Sequence, residues 1–188
     1  MPAPSAALLY APDGYDTSRP KLMGRHAAGE GFLTGLVRHA GFDRLVALTR
    51  GAADAEAFRR HVAKLGARVP AETIDDAEFQ RLATIGCLML PGPGLAPFAW
   101  RRRRLGEAAG FSLVGVTHTI ASAGAMDSIA EQLSAPVQPW DALICTSTAV
   151  RAAVVRLLDA EGEWLKRRLG ATRLEGPALP VIPLGVLA

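Results

Sequence analysis

Leu113-Val114-Gly115-Val116-Thr117-His118-Thr119-Ile120-Ala121-Ser122 is the stretch from which the fold is read. Leu113 to Val116 have the composition of a short strand buried in a parallel sheet. Thr117, His118 and Thr119 follow with no spacer. In open α/β sheets ligands bind outside the carboxyl ends of the strands, so polar residues placed there stand where chemistry is expected. His118 can donate, accept or carry a proton near neutral pH. It also suits a structural role, closing the strand and bonding a neighbouring loop, and spacing alone leaves both open.

On either side of this stretch, strands and helices alternate. Ala6 to Tyr10 reads as strand one, ended by Ala-Pro-Asp-Gly. A polar loop through Lys21 leads to a helix from His26 to Ala40, with Phe32, Leu33, Leu36 and Val37 at helical spacing. Arg44 to Thr49 is strand two and Ala53 to Leu65 an amphipathic helix. Ala67 to Pro70 is assigned to strand three and Asp75 to Ala83 to a short helix. Gly86 to Leu90 is strand four, cut off by Pro-Gly-Pro-Gly, and Pro97 to Ala109 a helix. After the Leu113 strand come a helix from Ala125 to Leu133, a strand from Asp141 to Cys145, and a helix from Ser147 to Leu169 with Gly162 as its expected break. Leu179 to Val186 supplies a last strand. This alternation predicts an α/β fold, a doubly wound and mostly parallel Rossmann-like sheet with helices on both faces.

The 188 residues suit one domain with one substantial core. A net charge of +3 is too small to argue for nucleic acid, and no nucleic-acid partner is expected. The start, MPAPSAALLYAP, lacks the basic region of a signal peptide, and no run of about 18 apolar residues occurs. Cys87 and Cys145 read as buried strand residues of a reducing compartment, so the cytoplasm is the expected location. No metal-ligand spacing is present, and neither a metal nor a cofactor is expected.

Three loops converge at the carboxyl ends of strands one, four and five if this fold is right. Gly29 and Gly31 each cost a helix about 1 kcal/mol relative to alanine, which a close backbone approach would justify. Near a helix N-terminus, Gly29-Glu30-Gly31 can offer free N–H groups to a phosphate, though close helix packing competes as the reason. The segment is neither GxGxxG nor a P-loop. Arg101 to Arg104 spread around a helix, since successive residues are about 100° apart, and read as a solvated face with an anionic membrane surface as the alternative. His39 and His61 lack a carboxylate or cysteine at a helpful spacing and read as structural. Ser147 reads as a helix cap.

Several segments together resemble the N-terminal half of the family 4 (group 1) retaining glycosyltransferases, enzymes of GT-B architecture with two Rossmann-like domains. They are AAGEGFLTGLVRHAGF from Ala27 to Phe42, GVTHTIAS from Gly115 to Ser122, DALICTSTAVRAAV from Asp141 to Val154, and VIPLGV from Val181 to Val186. The last is similar to the segment that crosses into the second domain. The resemblance implies that His118 faces the donor sugar and bonds one of its hydroxyls, without acting as a general base. It implies that Gly29, Glu30 and Gly31 lie near the diphosphate and the acceptor, that Thr117 and Thr119 flank the same site, and that Lys21 and Arg25 lend charge to its mouth. The family's Glu-x7-Glu pair, which belongs to the donor-binding domain, is absent, because no glutamate here has another eight positions on. The expectation is therefore an acceptor-side half that transfers nothing alone. Its partners would be a C-terminal GT-B domain, in the same chain or a separate subunit, a sugar acceptor and an anionic membrane surface at the inner face. A non-catalytic Rossmann-type module binding a nucleotide or sugar is the alternative.

Overall fold

The computed structural model describes residues 5–15 and 24–185, with backbone alone at 24 and 25. Six strands form an all-parallel sheet: β1 (Ala7–Leu9), β2 (Leu45–Thr49), β3 (Ala71–Asp75), β4 (Cys87–Met89), β5 (Ser112–Val116) and β6 (Ala142–Ile144). Their order is β3-β2-β1-β4-β5-β6, and helices surround them. That is the strand order of dinucleotide-binding sheets, with the reversal between β1 and β4. The α/β, doubly wound fold read from the sequence is thereby found. The chain divides into two compact units, one holding the described residues up to Pro91 with Leu184 and Gly185, the other Gly92–Pro183.

In the first unit, β1 pairs with β2 and with β4, and β2 with β3, all in parallel. α1 (Gly24–His39) and α2 (Gly51–Lys64) supply its helices. β2 is buried along its whole length, as a central parallel strand must be. The core gathers Leu8, Tyr10, Tyr15, Leu33, Phe58 and Val62. Two expectations are corrected here. Strand three lies at Ala71–Asp75 and not at Ala67 to Pro70, because Pro70 only opens it, its carbonyl accepting from the Leu45 amide at 2.8 Å. Only Ile74 of β3 is buried, so this strand carries little of the hydrophobic signal that marks the others. Cys87 is half-buried and not a core residue.

In the second unit, β5 pairs with β6 in parallel, Val114 opposite Ala142 and Val116 opposite Ile144. α3 (Ala96–Arg104), α4 (Ala123–Ala130) and α5 (Thr148–Leu169) complete it. Ile129, Leu143, Cys145 and Val154 form a core cluster. α3 stops five residues before Ala109, where the Leu105 and Gly106 amides turn back onto the Arg101 and Arg103 carbonyls. α5 runs unbroken through Gly162, which is buried with its open side toward Leu174 and Leu133. The Ser147 hydroxyl caps this helix, accepting from the Val150 amide at 3.1 Å. The last strand is reduced to two bridges, Ala142 with Ala178 and Cys145 with Val181. Ala178 and Ile182 donate to the Asp141 and Cys145 carbonyls, but Pro180 between them has no amide to offer the Leu143 carbonyl, which interrupts the ladder.

Candidate functional site

The first unit carries a polar cluster at the carboxyl end of β1. The chain leaves β1 at Tyr10 and makes a short turn of 3-10 helix at Pro12–Gly14 before Tyr15. Tyr10 and Tyr15 are both buried, and their rings stack with centroids 4.9 Å apart. Phe58 of α2 meets the Tyr10 ring edge-on at 5.2 Å. The Tyr15 hydroxyl donates to the Leu9 carbonyl at 3.0 Å. Burial pushes its pKa upward, with Tyr10 adding in the same direction.

α1 is seated against this turn by Gly29. A Cβ there would stand 2.5 Å from the Gly14 carbonyl oxygen, a distance only glycine permits. Close packing thus explains Gly29, whereas a Cβ at Gly31 would meet nothing within 4 Å. Gly29, Glu30 and Gly31 lie more than one turn inside α1 (Gly24–His39). Their amides belong to the helix ladder and are not free to meet a phosphate.

Glu30 finds a partner that spacing had hidden. His61 of α2 brings Nε2 to 2.7 Å from Glu30 Oε2, a contact too oblique for a linear hydrogen bond. Its Nδ1 lies 3.1 Å from the Tyr10 hydroxyl. The reading of His61 as a histidine without a carboxylate partner is therefore corrected: thirty-one positions separate the two in sequence, and α1–α2 packing closes the gap. His26 is buried within α1, and His39 is exposed at its end. Lys21 lies outside the described residues, and the side chain of Arg25 does too.

The second unit carries the Thr117-His118-Thr119 segment directly after β5, as read. Thr117 is buried, and its amide and hydroxyl both donate to the Ile144 carbonyl, at 3.0 and 3.1 Å. The Thr146 hydroxyl returns a bond to the Thr117 carbonyl at 3.2 Å. Thr117 thus locks the carboxyl end of β5 to the end of β6. His118 is half-buried, with both ring nitrogens sheltered from solvent. Thr119 is exposed, and its hydroxyl accepts the Ala121 amide at 3.1 Å. Ser122 then caps α4 by accepting from the Ala125 amide.

The loop after β4 presses on the same strand. A Cβ on Gly115 would lie 2.7 Å from the Gly92 carbonyl oxygen and 3.0 Å from a Leu95 methyl, which explains a glycine inside β5. The Gly92 carbonyl instead receives the Val116 amide at 3.2 Å.

Arg102 corrects the reading of the arginine run as a solvated face. Its guanidinium is wholly buried and makes a bidentate pair with Asp141, 2.7 Å on each side. It also donates to the Phe111 carbonyl at 2.6 Å. Asp141 in turn accepts the Leu113 and Gln138 amides, each at 2.7 Å. The pair therefore ties together the amino ends of β5 and β6, opposite the end that bears His118. The lone aspartate before Ala-Leu-Ile-Cys is the signal that could have revealed it. Arg103 and Arg104 remain exposed, with Arg103 over the Trp100 ring at 5.5 Å.

A cavity of about 570 Å³ opens elsewhere, at the amino end of β2, among Leu36, Val37, Phe42, Leu45 and Val69. It contains none of the residues read as site residues. Among the described residues no group of three or more His, Cys, Asp or Glu could hold a metal. None of the described helices is long and apolar enough to cross a membrane. No family model, curated protein or solved structure matches the chain.

Proposed function

We propose that this chain is the acceptor-side half of a retaining glycosyltransferase of GT-B type, moving a sugar from a nucleotide-sugar donor to a hydroxyl acceptor. The observation that carries the reading is the polar segment Thr117-His118-Thr119 at the carboxyl end of β5, in a parallel sheet ordered β3-β2-β1-β4-β5-β6. Ligands of such sheets gather at the carboxyl edge. In the first unit, the polar cluster with Glu30 stands at the carboxyl end of its own strand, β1.

Glycosyl transfer needs the acceptor hydroxyl oriented and the charge of the breaking bond stabilised. In this reading His118 bonds a hydroxyl of the transferred sugar, Thr119 offers an exposed hydroxyl beside it, and Thr117 positions both through β6. Glu30 accepts a hydroxyl of the acceptor, while Gly31 leaves its surroundings open. Lys21 and Arg25 add charge for the diphosphate. The donor itself is held by a C-terminal domain in the same chain or a separate subunit, so this half alone turns over nothing. The work takes place in the cytoplasm, at the inner face of the membrane. Exposed Trp100 and Leu105 beside Arg103 and Arg104 favour an anionic lipid surface as a partner.

His118→Ala tests the assignment in the reconstituted enzyme. If His118 bonds the sugar more strongly in the transition state, kcat falls roughly 10²–10³-fold and the melting temperature holds. A destabilised variant with unchanged kcat removes His118 from the site. Donor binding and acceptor binding without transfer, even with the second domain supplied, would instead favour a non-catalytic nucleotide- or sugar-binding module.

A further inference from the structure

We infer that His61 is a positioning residue: it holds Glu30 by one carboxylate oxygen and leaves the other as a fixed acceptor for a saccharide hydroxyl. The ligand class rests on the acceptor-side reading above; the positioning rests on geometry alone.

The two oxygens of Glu30 are unlike. Oε2 is cut off from solvent and lies 2.7 Å from His61 Nε2, whereas Oε1 is not among the sheltered atoms of a side chain that remains one-quarter exposed. The carboxylate is thus gripped from one side and open on the other.

The grip has a defined hydrogen. A neutral imidazole donates through one nitrogen and accepts through the other. If the Tyr10 hydroxyl donates to Nδ1 across 3.1 Å, the ring hydrogen must sit on Nε2, the nitrogen that lies 2.7 Å from Glu30. This tautomer is assigned from the Tyr10 contact.

The frame behind it is rigid. Tyr10 is buried and clasped between the Tyr15 ring at 4.9 Å and the Phe58 edge at 5.2 Å. The His61 ring stands 6.0 Å from Tyr10 and 6.4 Å from Tyr15, nearly perpendicular to the latter at 83°. On the other side, Gly29 pins the same turn of α1 beneath the Gly14 carbonyl. Neighbours on three elements therefore fix the direction of Glu30, which is how a binding group gains selectivity without losing entropy when the ligand arrives.

The chemistry suits a hydroxyl. An ionised carboxylate oxygen accepts O–H bonds that are short and about twice as strong as neutral ones. The turn that carries Glu30 packs on the loop leaving β1, at the edge where ligands of this sheet gather. A cation would need further oxygen or nitrogen ligands, and the described residues supply no such group.

Two variants separate positioning of Glu30 from anchoring of Tyr10. In His61→Gln the amide nitrogen reaches as far as Nε2 and keeps the Glu30 contact. In His61→Asn the amide reaches only as far as Nδ1 and keeps the Tyr10 contact. The probes are free glucose, mannose and galactose, followed by saturation-transfer NMR on residues 1–188, with a melting curve for each variant. Binding of at least one sugar by the wild type is expected, with His61→Gln close to it and His61→Asn and Glu30→Gln roughly tenfold weaker, the cost of one charge-assisted bond. Nitrogen-15 spectra of the wild type should show the Nε2–H tautomer. An Nδ1–H tautomer, no sugar binding by the wild type, or His61→Asn binding as the wild type does, overturns the inference. Failure of sugar transfer in the reconstituted enzyme, beside this order of binding, refutes the proposed function and leaves the role of His61 standing.

Discussion

Replacing Arg102 by leucine removes a guanidinium that is wholly buried and bonds three acceptor atoms, two on Asp141 and the Phe111 carbonyl. The Asp141 carboxylate then stays buried with only the Leu113 and Gln138 amides to answer its charge. Breaking a buried pair from one side costs about 3–5 kcal/mol, because the remaining charge is stranded. Domains of this kind have about 5–15 kcal/mol in all, so the variant should be severely weakened. Adding Asp141→Leu removes the stranded charge but orphans two buried amides, at about 1–3 kcal/mol each. The double variant should therefore stay less stable than the wild type while losing less than the sum of the single losses. Urea unfolding of all four proteins, followed by circular dichroism, measures the difference. The wild-type contribution should change little between low and high salt, since buried pairs are poorly screened. An Arg102→Leu protein within about 1 kcal/mol of the wild type, or strictly additive losses, would refute the reasoning.

Gly162→Ala should stabilise the protein by about 1 kcal/mol, because a Cβ would meet Leu174 and Leu133 at ordinary contact distances of 3.5 and 3.8 Å inside α5; a lower melting temperature would contradict this. Gly29→Ala should do the opposite, since its Cβ would collide with the Gly14 carbonyl at 2.5 Å, and should loosen the Pro12–Gly14 turn as judged by hydrogen exchange at the Gly14 and Tyr15 amides. Unchanged exchange would count against that seating. Tyr15 has its pKa raised above the ordinary 10.0 by burial, so the folded state keeps a proton that the unfolded chain gives up. Stability should be flat below about pH 9 and fall above 10 by up to about 1.4 kcal/mol per pH unit, a decline that Tyr15→Phe should lessen in alkaline urea titrations. An equally steep decline in Tyr15→Phe would assign it to other groups.

The parallel sheet was legible because buried strands announce themselves as short apolar runs: the strands read at Arg44 to Thr49 and Leu113 to Val116 lie within one residue of the observed elements. β3 was misplaced because it buries only Ile74, and composition cannot mark a strand whose pairing with β2 supplies its order. Gly162 suggested a break because glycine weakens helices, yet the packing of α5 outweighs about 1 kcal/mol. Thr117, His118 and Thr119 could be placed from their position after an apolar run. Their division of labour could not, since it depends on which hydroxyl meets the Ile144 carbonyl. The Glu30–His61 and Arg102–Asp141 contacts join residues 31 and 39 positions apart, and only tertiary packing brings such charges together.

Sugar transfer by purified residues 1–188, assayed alone and again with a donor-binding GT-B domain supplied in trans or fused after Ala188, tests the acceptor-side assignment most directly. The assignment predicts no transfer by the chain alone and donor-dependent transfer, with retention at the anomeric carbon, once the second domain is present. Measurable transfer by residues 1–188 alone, or none with any donor when the two halves form a folded complex, would contradict it.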